Sequence, residues 1–294
     1  MLVILFCMAA GFLAHKLGYL GGETDQRLCR LILGITMPCL ILGSVSAGDT
    51  LPSAGEVLSI LKVAAVFYGL GFLAAAFVPR LLGGTAKQQG VWRYCLVFAN
   101  MAFIGYPVSV ALFGQDALFY AVILVLPFNL LSFSLGPLML AGQAKFRWQQ
   151  LTSPCVIAAV AALVVALCRL NIPALAGECL NFVGSLTTPL SLLVVGSLLA
   201  DLPFGRAFTS LRLWILTALR LLILPGVLWL VLKWTGIGTP LVDDIAVILM
   251  ATPAALNGSM LAMEYGGDTE CMAQSIFLTT LMSILTIPVL AALL

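Results

Sequence analysis

The stretch from Tyr94 to Gly114, YCLVFANMAFIGYPVSVALFG, decides how this chain must fold. It carries no charged residue over a length that meets the roughly 18 to 20 residues needed to cross the hydrocarbon core of a bilayer. In lipid the backbone has no water to bond with, so such a run has to be helical, because a helix satisfies its own N–H and C=O groups. Yet the run also holds Asn100, Gly105 and Pro107, which work against a continuous helix. Proline removes a backbone donor and disfavours helix at the residue before it, and glycine relaxes the backbone alongside. The stretch reads as a membrane helix with a break at membrane depth. Such a break frees backbone polar groups and is tolerated only where they are buried in protein or line a cavity.

Moving outward, Ala117 to Ala144, Cys179 to Ala200 and Cys271 to Leu294 are charge-free in the same way. Of the 294 residues 62% are hydrophobic and 9% charged, against about a quarter charged in a soluble domain. So little charge cannot cover a water-soluble globule. The net charge of +2 and the dispersal of the basic residues exclude a nucleic-acid surface. The eight cysteines form no Cys-x-x-Cys pair and several lie inside apolar runs, so they read as packing residues. No metal site and no cofactor is expected. Met1 to Ala14, followed by His15 and Lys16, resembles a signal peptide, but no small-residue cleavage site leads into a soluble domain. It reads as a first span several residues short, trimmed at its start or lying shallow.

Apolar runs between charged or Gly/Pro breaks give ten spans, centred near Ile4, Leu40, Tyr68, Phe103, Leu126, Ala161, Leu193, Leu224, Met250 and Leu281. The odd-numbered loops hold Lys16, Arg27, Arg30, Arg80, Lys87, Arg93, Lys145, Arg147, Arg206 and Arg212, and the even-numbered ones only Lys62, Arg169 and Lys233. This bias puts the odd loops in the cytoplasm and both termini outside it. The halves echo each other: Thr36-Met37-Pro38 recurs as Thr187-Thr188-Pro189, and Ser132 with Pro137 as Ser283 with Pro288. Each half has five spans, an odd number, so two similar halves must lie upside down relative to each other, the inverted-repeat plan of many secondary transporters.

Span nine answers span four. It reads Ala251-Thr252-Pro253-Ala254-Ala255-Leu256-Asn257-Gly258-Ser259, again with a proline, an asparagine and a glycine. If both spans break, the half-helices present their N-terminal partial positive charge to a site near the midplane. The competing reading is that the prolines only kink the helices and that each asparagine ties two helices together.

With these residues in view, the chain resembles the auxin efflux carrier family, which contains plant auxin exporters and bacterial malate and malonate permeases. The resemblance is strongest over Gly11 to Pro38, Phe98 to Gly136 and Thr252 to Pro288, including Leu126-Pro127-Phe128-Asn129 and Tyr265-Gly266-Gly267-Asp268. It implies an all-α integral membrane protein of ten helices in two inverted five-helix repeats, with helices four and nine broken at prolines and crossing. It also implies scaffold helices in residues 1–48 and 145–203, where a homodimer would form, and a mobile bundle in residues 49–144 and 204–294. By position, Asn100 and Asn257 would contact a carboxylate, and Pro107 and Pro253 would hold the breaks. Ala99 and Met101 replace the Gly and Thr that commonly flank the first asparagine, and Gly34 stands where an asparagine often precedes Pro38; these departures bear on the substrate more than on the fold.

Arg220 lies about ten residues into span eight, where a charge is expensive and by default marks function. Snorkelling toward the cytoplasmic face is its alternative. Asn129 in span five either lines the cavity or ties two helices. His15, the only histidine, reads as interfacial, and Glu264 as a solvated carboxylate at the end of span nine. The expected substrate-binding set is therefore Asn100, Gly105, Pro107, Asn129, Arg220, Pro253, Asn257 and Ser259. The expected function is a carrier in the inner membrane that moves a small organic anion, a mono- or dicarboxylate, by alternating access. A membrane-embedded enzyme would need a nucleophile with its base or a metal-ligand cluster, which one histidine and scattered cysteines do not supply; a receptor or pore is the other alternative.

Overall fold

The computed structural model describes residues 2–43, 45, 54–141, 154–168, 170, 172–201 and 208–294. Every regular element among them is a helix. Among the described residues five helices are long and apolar enough to cross a membrane: Gly22–Gly43, Gly55–Leu82, Ala174–Leu198, Leu211–Thr235 and Thr269–Leu293. Shorter apolar helices occupy Met101–Phe113 and Ala117–Phe128. Large apolar side chains such as Phe6, Leu73, Phe77 and Leu230 stand exposed, as contact with lipid tails requires. The protein is an all-α, multi-pass membrane protein.

Among the described residues three helices widen into a π turn, at Ile32–Thr36, Met101–Gly105 and Leu219–Ile223. A proline follows each at the same distance: Pro38, Pro107 and Pro225. A proline ring collides with the carbonyl four residues before it, and here that carbonyl belongs to Gly34, Phe103 or Leu221, inside the π turn. Widening the turn moves that carbonyl out of the way. Proline alone is not sufficient, since Pro79, Pro127, Pro137 and Pro288 lie within α-helices.

The chain divides into two units. The first comprises residues 1–61, 102–126 and 148–201. It contains α1 (Leu2–Lys16), α2 (Gly22–Leu31), α3 (Met37–Gly43), α6 (Tyr106–Phe113), α8 (Pro154–Cys168), α9 (Ala174–Gly184) and α10 (Thr187–Asp201). Here α1 and α2 pack on α10, and α3 on α8 and α9. Lipid is as apolar as the helices, so close backbone approach rather than hydrophobic burial holds them. Glycines permit that approach: a β-carbon on Gly11 would fall on the backbone of Leu193, and one on Gly196 on the backbone of Met8. Where α1 ends and α2 begins, a polar chain joins the same helices. Asp25, buried, accepts from Gly21 N–H at 3.0 Å and from Ser197 O–H at 2.7 Å. His15 Nδ1 lies 3.0 Å from Ser197 Oγ. Because the single serine proton goes to Asp25, His15 donates in that contact. His15 is thus a helix-joining residue, not merely an interfacial one.

The second unit comprises residues 62–101, 127–147 and 202–294. It contains most of α4 (Ala54–Leu82), α5 (Ala86–Val97), the second half of α7 (Ala117–Ala141), α11 (Leu211–Ala218), α12 (Leu224–Thr235), α13 (Pro240–Met250), α14 (Asn257–Tyr265) and α15 (Thr269–Leu293). The π turn between α11 and α12, together with α5, α11, α13 and α14, packs around α15. Element ends are set locally. Thr85 and Gln88 form a capping box on α5, Asp268 accepts from Cys271 N–H at the start of α15, and Gly236 ends α12 in the left-handed conformation.

Candidate functional site

Span four leaves the helix after Val97, and span nine after Met250. Phe98 is extended, and Ala99 pairs with Ala254 in an isolated antiparallel bridge. Two backbone bonds close it: Asn100 N–H to Pro253 O at 2.7 Å and Ala255 N–H to Phe98 O at 3.1 Å. Ala254 N–H finds a third partner, the Thr279 hydroxyl of α15, at 3.2 Å. Residues 98–101 and 251–255 are all buried. A buried break would otherwise leave orphaned amides, and here each interrupted helix supplies what the other lacks. Alanines at the paired positions keep the two backbones close.

The expected site residues fall around this crossing in different ways. Asn100 is the neighbour of Ala99, and Pro253 lies within the unwound segment, its carbonyl taken by Asn100. Asn257 is the first residue of α14, three positions beyond Ala254. Its Oδ1 accepts from Tyr94 O–H at 2.9 Å, and its Nδ2 donates to Ser132 Oγ at 3.2 Å. Tyr94 Oη and Ser132 Oγ are 3.0 Å apart. Since Tyr94 spends its proton on Asn257, Ser132 donates to Tyr94, and the three side chains form a closed ring of hydrogen bonds joining α5, α7 and α14. One amide N–H of Asn257 remains outside the ring. Ser259 follows on α14 and is half-buried. The side chain of Asn129 lies outside the described residues. Gly105 and Pro107 belong to the other unit. Pro107 does not sit in the unwound stretch: it lies in α6, which continues directly from the Met101–Gly105 π turn that accommodates its ring.

Arg220 occupies the π turn between α11 and α12 and is completely buried, 0% exposed, so it does not snorkel. Its Nη1 donates to Leu96 O at 3.1 Å, three positions before Ala99. Nε and Nη2 have no hydrogen-bond partner among the described residues. Its ionisable neighbours are Cys95 and Tyr68, types ordinarily uncharged near neutrality.

Tyr94, Ser132 and Thr279 are the participants that sequence reasoning missed. Only Ser132 carried a signal, through its recurrence as Ser283.

A profile of a family described as membrane transport protein matches residues 1–145 and 137–291. The chain is 25% identical to a protein of Methanothermobacter thermautotrophicus named only as a transporter, over 98% of this chain and 95% of that one. It is 26% identical to another so named from Methanocaldococcus jannaschii, covering 97% and 95% respectively. It is 22% identical to a Rhizobium meliloti protein provisionally named a malonate transporter, covering 94% and 89%. The backbone pairing of two interrupted helices thus lies in a chain that matches transporters from end to end: it belongs to the membrane transport protein family, the auxin efflux carriers.

Proposed function

We propose that this protein is a secondary carrier for a small organic anion, a mono- or dicarboxylate, bound at the crossing of spans four and nine and moved across the inner membrane by alternating access. The observation that carries the reading is the Ala99–Ala254 bridge, which joins two broken helices by their freed backbone groups. Asn100 flanks it, α14 starts beside it with a partial positive charge, and Arg220 adds a buried full one. Pro253 and Ser259 shape the span-nine side, with Asn129 assigned to the site by position. The name of the Rhizobium meliloti relative is consistent with a dicarboxylate. In this reading ten spans form two inverted repeats, helices one, two, six and seven make a scaffold that can dimerise, and both termini face outward.

Reconstituted in vesicles, the protein should show saturable counterflow: carboxylate loaded inside drives uptake of labelled carboxylate against its gradient. Uptake that never saturates would indicate a pore, and chemical conversion of the label an enzyme. The orientation has its own check. In a cysteine-free background a cysteine at Gln115 should react with an impermeant thiol reagent added outside intact cells, and one at Lys87 should not; both positions are exposed. The reverse pattern would overturn the assignment from loop charge.

A further inference from the structure

We propose that Arg220 is a carboxylate clamp, its Nε–H and Nη2–H edge taking both oxygens of one substrate carboxylate while Nη1 stays tied to Leu96. This rests on the carrier reading and deepens it by naming the group recognised. In a guanidinium, Nη2 is the terminal nitrogen on the same side as the Nε–H, so those two N–H bonds point the same way. That side-on edge is the one that grips a carboxylate with two parallel hydrogen bonds. In this protein that edge is the unpartnered one: among the described residues nothing bonds the buried Nε and Nη2, while the third nitrogen is anchored at 3.1 Å.

The anchor has a positioning role. Nη1 is taken by the Leu96 carbonyl, so the Nε–Nη2 edge is the one left for a ligand. The π turn at Leu219–Ile223 gives the side chain its place, and that turn packs against both α5 and α15. A helix that merely needed tying to α5 could use a neutral donor on Leu96 and avoid the cost of burying a charge. Among the described residues no ion pair joins a carboxylate side chain to Arg220; the ionisable groups beside it are the Cys95 thiol and the Tyr68 phenol. One buried positive charge with two parallel free donors is complementary to one planar, singly charged group. A phosphonate dianion would leave a buried net negative charge, and a carboxamide supplies no charge at all. Because Arg220 is fully buried, the ligand reaches it only when the packing around the π turn opens, as a carrier must do in its cycle.

The test compares ligands before it compares variants. Purified protein is screened by thermal shift and by counterflow against malonate, propionate, the monoamide of malonate, propionamide and ethylphosphonate. Propionamide should bind at least a hundredfold more weakly than propionate, malonate monoamide should keep binding through its remaining carboxylate, and ethylphosphonate should bind at least tenfold more weakly than propionate. Equal binding of propionate and propionamide overturns the clamp without any mutation. Arg220→Lys keeps the charge but loses the fork, and Arg220→Gln keeps a donor for Leu96 without the charge. Both should lose at least tenfold in propionate affinity, with ligand-free melting temperatures near the parent's. Parental affinity in Arg220→Lys would show that charge alone matters and sink the clamp, while leaving carrier function standing. If the parent binds and exchanges none of these acids, the carrier reading falls and the clamp with it. Should either variant fail to fold, the propionate and propionamide comparison in the parent still decides.

Discussion

Replacing Gly196 by alanine should lower the melting temperature of the purified protein sharply, and Gly11→Ala should do the same. The added β-carbon in either case meets backbone of the facing helix, that of Met8 or of Leu193, so no rotamer change relieves it. Two effects oppose each other. Alanine is the better helix former by about 1 kcal/mol, whereas forcing packed elements apart costs about 1 to 3 kcal/mol or more. Backbone-on-backbone contact puts the cost at the upper end, so the clash wins by about 2 kcal/mol. Gly226→Ala is the internal control. It lies in α12 with nothing within 4 Å of a β-carbon, so there the propensity gain stands alone and stability should rise slightly. Thermostability measured by fluorescence-detected gel filtration on all three variants is enough. If Gly196→Ala and Gly226→Ala shift in the same direction, close approach of α1 and α10 is not what holds that unit.

The second large effect is expected on binding. Asn257→Ala and Asn100→Ala should each weaken carboxylate affinity by roughly ten- to a hundredfold, since a hydrogen bond to a charged group is worth about 1.5 to 3 kcal/mol. For Asn257 the structure adds a stability cost, because its loss opens the ring and strands Tyr94 and Ser132. Tyr94→Phe separates the two roles. It breaks the same ring but leaves the asparagine in place, so it should match Asn257→Ala in lost stability, by about 1 kcal/mol, while keeping most of the affinity. Identical affinities in Tyr94→Phe, Asn257→Ala and the parent would reduce Asn257 to a tie between helices and remove it from the site.

The two breaks show where sequence reading stops. Prolines, glycines and asparagines marked spans four and nine correctly, because backbone disruption is a local property of those residue types. The position of the first break was not legible. Pro107 drew attention to itself, but it only widens the helix into the π turn ahead of α6, and the chain unwinds at Phe98 to Asn100, where no residue is a strong helix breaker. That stretch unwinds because Pro253 and Ala255 offer its backbone better partners. Arg220 was visible as an expensive charge, but whether it snorkelled or stayed buried depended on the turn that carries it.

Membrane residence, helical structure and the presence of two interrupted spans follow from the sequence by itself, since they depend on composition, run length and the chemistry of single residues in lipid. Only the tertiary structure decided which groups meet: Ala99 with Ala254, Tyr94 with Asn257 across 163 positions, Ser197 with Asp25 across 172. Helices that are apolar on nearly every side carry no periodic stripe to say which face turns inward. Their rotation is set by where glycines allow backbones to touch and where buried polar groups find partners, and both conditions are met only between segments far apart in the chain.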